Sequence, residues 1–166
     1  MKKIITVILL CLLCVGCTPN KKVENDPTEK YLEMVKALKN YDSFLTDSDY
    51  FNISYEMSRL DDGSYRYYLV IDKPRIAMYD IEILAVEKEE DYTTKMAANA
   101  GIFDDTTYNM IPNQANPSKG YMSGIVVSGT TNNPETNVYL LVQWRNEDLS
   151  VTYKQYVQLS LNYSEY

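Results

Sequence analysis

The chain contains no histidine, and all three of its cysteines lie at or before position 17. Ser-His-Asp and Cys-His nucleophilic arrangements, histidine metal sites and the commonest general base are removed together. No GxxxxGK segment followed by Ser or Thr and no GxGxxG loop occurs, so the usual phosphate cradles are missing as well. What remains for acid-base work is carboxylate, since two acids at a suitable separation can hydrolyse a glycoside. The adjacent acids are Asp61-Asp62, Glu89-Glu90-Asp91 and Asp104-Asp105. The first pair precedes Gly63 and reads as turn chemistry, the second group as a solvated strand end and the third as loop. Asp47, Asp49, Asp104 and Asp105 offer oxygens to calcium, but not at the spacing of an EF-hand. No catalytic residue, metal site or cofactor is assigned, and enzyme activity is disfavoured.

Tyrosine is the compositional anomaly, at 16 residues against three phenylalanines. A phenol ring offers broad apolar area with a polar tip, which suits protein interfaces and sugar-stacking platforms. It also suits ordinary half-buried strands, which account for most of these residues. Tyr65, Tyr67 and Tyr68 stand together, and Tyr79, Tyr108, Tyr121, Tyr139, Tyr153 and Tyr156 are spread over later segments. Tyr68 and Tyr139 are the ligand-binding candidates, because each opposes an apolar face of an expected strand.

These side chains depend on a frame, which begins with the layout of a secretory signal peptide. Lys2-Lys3 precede an apolar run from Ile4 to Leu13. That run is well short of the roughly 20 residues that span a bilayer. Cys14-Val15-Gly16-Cys17 closes it, and Gly16-Cys17 resembles the lipobox of bacterial lipoproteins. Cys14 stands where that family usually has leucine. The resemblance covers only the N-terminal segment. It implies cleavage before Cys17, lipidation of that cysteine, and attachment to the outer face of the bacterial cytoplasmic membrane. The absence of any cysteine after position 17 fits a Gram-positive source. Two or three acyl chains would make such attachment effectively permanent.

Loss of residues 1–16 takes away Lys2 and Lys3 but no acid, so the net charge moves from −7 to −9. Nucleic acid is excluded as a partner, because phosphate binding needs a basic face that releases counterions. The negative charge keeps an exported domain soluble. Residues 17–25 form the lipidated cysteine and a short polar tether, and residues 26–166 a single exported domain.

Asp26 followed by Pro27 marks a helix start, with Glu29 at the capping-box position. Tyr31, Met34, Val35, Leu38, Tyr41 and Leu45 then recur every three or four residues as one apolar stripe. After Asp49 the period becomes two: Phe51, Ile53, Tyr55 and Met57 alternate with polar residues. Asp61-Asp62-Gly63 is a hairpin turn leading to a strand over 64–71, and a third strand over 76–86 suggests a meander. Residues 92–118 are irregular, and a loop of that length is often functional or mobile. Further strands are expected over 121–128, 138–145 and 151–161, the middle one apolar on both faces and therefore central.

The pattern predicts a mainly β domain: an N-terminal amphipathic helix followed by an antiparallel β-sandwich, with an immunoglobulin-like arrangement as one form of it. The rival is an α+β fold with the helix on one curved antiparallel sheet, cystatin-like or NTF2-like. The functional expectation is a membrane-anchored, extracytoplasmic, non-catalytic binding module. Its partners would be the bilayer, through Cys17, and an envelope protein or cell-wall component. The alternatives are a carboxylate-dependent hydrolase acting on glycans and a structural accessory of a membrane complex. Cys17→Ser should release the protein from the membrane fraction or leave it unprocessed. Fractionation that finds processing and membrane retention unchanged would contradict the anchor.

Overall fold

Apolar residues spaced three and four apart pull one face of α1 (Pro27–Asn40) into the interior, where Tyr31, Met34, Val35 and Leu38 are buried. This structure is a computed structural model that describes residues 26–165; the expected signal peptide, Cys17 and the tether lie outside the described residues. Asp26 caps α1 by accepting the Thr28 N–H at 2.9 Å, with Pro27 in the first turn. The helix ends earlier than the stripe, because Tyr41 turns extended at φ −79°, ψ 146°. The stripe residue Leu45 instead forms a parallel bridge to Val157.

Seven strands follow: β1 (Asn52–Arg59), β2 (Tyr65–Asp72), β3 (Tyr79–Val86), β4 (Ala98–Ala100), β5 (Gly124–Thr131), β6 (Glu135–Arg145) and β7 (Thr152–Asn162). They form two antiparallel sheets, ordered β1-β2-β5 and β4-β3-β6-β7. Strands one, two and five facing three, six and seven is the immunoglobulin-like distribution, here with the fourth strand at the edge of the second sheet. The sandwich is present, and the helix-on-sheet arrangement is added to it. The inner faces meet through Leu69, Ile71, Ile83, Val127, Leu140, Val142 and Trp144, while α1 packs on the far face through Leu84, Val86 and Leu141. The domain therefore has three layers, with the four-stranded sheet covered on both sides.

The expected hairpin at Gly63 is present, with φ +85° and a Leu60 N–H donated to Ser64 O at 2.8 Å. The expected meander is not. β2 pairs with β1 and β5, and β3 belongs to the other sheet. The chain crosses over at Lys73-Pro74, where Lys73 takes φ +46° and Arg75 ties the corner by donating to Ser48 O and Phe51 O at 2.9 and 2.8 Å. A continuous three-strand sheet cannot pass through such a corner.

The segment between β3 and β5 is likewise more ordered than its composition implied. It supplies β4, then runs back across the sandwich, pinned by Met78–Met110 and Ile81–Tyr108 backbone hydrogen bonds of 2.8 to 2.9 Å. Asp80, at φ +50°, donates its N–H to the Asn109 side chain at 2.9 Å and marks a bulge in β3. Gly101 lets the chain leave β4, since it has φ +79° and a Cβ there would stand 2.2 Å from the Ile81 carbonyl oxygen. Gly101→Ala should therefore destabilise the domain by about 2–4 kcal/mol in urea unfolding. Gly63→Ala has a similar φ but nothing within 4 Å, and should lose only about 1 kcal/mol.

Candidate functional site

The two sequence candidates fall on opposite sides of the molecule. Tyr68 lies on the outer face of the three-stranded sheet, registered between Glu56 and Ser128 and half-buried. Tyr139 lies on the outer face of β6, its ring 4.7 Å from Phe44 and beneath Lys88 Nζ at the same distance. The fold does not bring them together. Tyr139 borders a hollow with Glu87, Lys88, Glu89, Glu90 and Glu135. Its deepest acid, Glu87, is occupied by the hydroxyls of Thr131 and Thr136, which donate at 3.0 and 2.7 Å.

The other acids singled out in the sequence serve local structure. Asp62 accepts the Ser64 hydroxyl at 2.6 Å and its N–H at 3.0 Å, which hold its carboxyl below the usual range. Asp91 is held low in the same way, chiefly by the Thr93 N–H. Asp104 receives the Gly101 N–H at 2.7 Å. Buried Glu82 accepts from Lys30 and Gln143 across the interface between α1 and the sheet. Among the described residues no three Asp, Glu, His or Cys side chains gather to hold a metal.

Aromatic side chains that the sequence scattered do converge elsewhere, at the edge formed by β7. Trp144 on β6 stands opposite Tyr153 on β7, and the two rings stack at 5.7 Å with a 20° interplanar angle. Tyr50 approaches the same indole at 5.5 Å, and Phe51 meets it edge-on at 6.0 Å. On the other side of β7, Tyr41 stacks on Tyr156 at 4.0 Å. Between these groups runs a groove of about 320 Å³, completed by Ser43, Leu45, Lys154 and Gln155. Period-two alternation places Tyr153 and Gln155 on one side of the edge strand and Lys154 and Tyr156 on the other.

The floor and rim differ in exposure. Trp144 is 2% exposed, whereas Tyr50 and Tyr153 are 40% and 45% exposed and shield it. Two buried polar atoms at this groove lack any partner, the Trp144 Nε1–H donor and the Gln155 Oε1 acceptor, and they are the only such side-chain atoms among the described residues. Leaving a buried donor or acceptor unpaired costs on the order of 1–3 kcal/mol, so two at one place are informative. Burial raises the Tyr156 phenol above its ordinary value and pushes Tyr92, below the opposite end of the sandwich, up to about 12. Both stay protonated near neutral pH, and the Tyr92 hydroxyl accepts the Glu87 N–H at 2.8 Å.

Sequence reading counted Tyr153 among the scattered tyrosines and did not join it to Trp144. The available signal was weak: the chain's single tryptophan near the end of one strand, with Tyr153 near the start of the next. No family model, curated protein or solved structure matches this chain.

Trp144→Phe keeps a ring and removes the unpaired N–H, so it should lose less than about 2 kcal/mol in chemical unfolding, against about 3–5 kcal/mol for Trp144→Ala. Equal losses for the two variants would mean that the indole N–H contributes a stabilising hydrogen bond.

Proposed function

We propose that this protein is an exported, lipid-anchored binding module that holds its sandwich outside the membrane through Cys17 and recognises an envelope protein or cell-wall component at the groove beside β7. The observation that carries the reading is the meeting of an aromatic groove with the unpaired Trp144 Nε1–H and Gln155 Oε1. A ligand would stack on the exposed Tyr50 and Tyr153 rings, and one that parts them would supply an acceptor and a donor to the two buried atoms beneath. The reading is favoured over carboxylate hydrolysis because Glu82 and Glu87, the buried acids, already have fixed partners. In this reading the bilayer is reached by lipid on Cys17, on the strength of the Gly16-Cys17 resemblance to a lipobox.

The chain's single tryptophan makes the groove its own reporter. Solubilised wall polymer and fractionated envelope protein should each be titrated into the purified chain while Trp144 emission is followed. At least one should give a saturable change, and Tyr50→Ala with Tyr153→Ala should weaken it by about ten-fold or more, since exposed rings contribute contact area to binding but little to the core. Binding that is unaffected by the double substitution, or no binding by any fraction, would overturn the groove as the recognition site.

A further inference from the structure

Resting on the groove as a binding site, we propose that its occupant is an extended polypeptide segment of another protein, which adds as a strand to the free end of β7 and places an acidic residue opposite Lys154. The first observation is the state of that edge. β7 is the last strand of its sheet and pairs with β6 in unbroken register over its whole length. Leu45 already pairs with its outer side, donating to Tyr156 O at 3.0 Å and accepting from Gln158 N–H at 2.9 Å. Peptide groups alternate in direction along a strand, so those of Thr152 and Lys154 face outward too. They have no backbone partner among the described residues. The edge thus accepts one strand-like segment at its middle and offers the same geometry, unfilled, beside the aromatic groove.

The second observation is the chemistry of the groove itself. An incoming strand presents alternating side chains to the two sides of the edge, as well as backbone N–H and C=O groups. Side chains on one side would meet Tyr50, Tyr153, Trp144 and Gln155, where the unpaired donor and acceptor lie. Side chains on the other would meet Lys154 and Tyr156. Lys154 is exposed, takes part in no ion pair among the described residues, and is the only charged residue lining the groove.

Charge also decides between occupants. If two copies of the chain joined β7 to β7 about a two-fold axis through Lys154, that lysine would face its own copy, and like charges directly opposite are destabilising. The same lysine favours a foreign strand with Asp or Glu at that position. A saccharide could stack on Tyr153, but it would leave the row of outward peptide groups unpaired.

The test pans a library of random linear dodecapeptides against the full chain in detergent micelles, with solubilised wall polysaccharide as a parallel probe. Selected peptides should alternate apolar and polar residues around a shared acid. Synthetic versions should lose binding when N-methylated at alternate backbone positions. Lys154→Pro removes one outward N–H that the sheet does not use, so it should leave the fold intact and lower peptide affinity about ten-fold or more. Lys154→Glu keeps that N–H and should weaken acidic peptides about three- to ten-fold while favouring basic ones.

Peptides that bind both variants as they bind the parent chain would overturn the proposal. So would a solution dimer that Lys154→Pro dissociates, which would make a second copy the occupant. Polysaccharide binding without peptide binding would overturn this inference and leave the groove reading standing. Binding of neither probe would count against both.

Discussion

Strand β6 carries Val138, Leu140, Val142 and Trp144 on one face and Leu141 with Tyr139 on the other, so water has to be excluded from both sides of it. β3, its neighbour, is under the same constraint, being buried from Ile81 to Val86 on alternate faces. A sheet apolar on one face needs one covering layer; these two strands need two. The three-stranded sheet covers the inner face and α1 the outer one. The amphipathic stripe of α1 is as narrow as the four residues Tyr31, Met34, Val35 and Leu38, so part of the outer face is left to Phe44, Tyr92 and Ile102 from the flanking loops. No disulfide joins the layers among the described residues, which contain no cysteine. Cohesion comes from apolar burial on both sides of one sheet.

Covering the outer face also traps polar groups, and each is met by a partner from another element. Glu82 is drawn under α1 by its place in β3 and receives Lys30 from the helix and Gln143 from β6. Burial of a lone carboxylate is far more unfavourable than burial of a paired one, so the pair fixes how the helix sits along the strands more than it adds stability. Glu87 is enclosed where β3 ends and is held by two threonines from the β5–β6 turn region. Tyr31 and Tyr92 bury their rings and still serve the backbone, accepting the N–H groups of Ala97 and Glu87 at 2.7 and 2.8 Å. Against this completeness, the two unpaired atoms near β7 stand apart.

Periodicity made most of the elements legible. The α1 stripe as far as Leu38, the Gly63 turn and the two-faced character of β6 are local patterns that appear as expected, whereas β1 is a strand without the expected alternation of burial, since Tyr55 at the sheet edge is 42% exposed. Partner choice was not local. Whether β3 pairs with β2 or leaves for another sheet depends on the Lys73-Pro74 corner and on Arg75 reaching back to Ser48 and Phe51, contacts between distant residues. β4 was hidden because three residues, Ala98-Asn99-Ala100, carry too short an alternation to register. Leu45 kept the helical spacing yet left the helix, because its apolar side chain finds the β7 edge instead. Tyr139 opposed an apolar face as expected, but Phe44 and Lys88 cover that side. The groove was the least legible part, since its residues come from the segment after α1, from β6 and from β7.

Edges complete the argument, because a sandwich leaves four of them and each is a place where another chain could pair. The β4 edge is only three residues long. β7 is eleven residues long, and its treatment changes along its length. Its middle is closed by Leu45, which takes up the Tyr156 carbonyl and the Gln158 N–H. Its first residues lack that cover. A long exposed edge flanked by Leu149, Val151 and Tyr153, all more than 40% exposed, is an aggregation hazard unless something opposes indiscriminate pairing. Lys154 is placed to do so: it makes self-association unfavourable and leaves pairing open to a strand of complementary charge. The same residue thereby protects the edge and selects among partners, which explains how an otherwise well-satisfied domain tolerates one unfinished border.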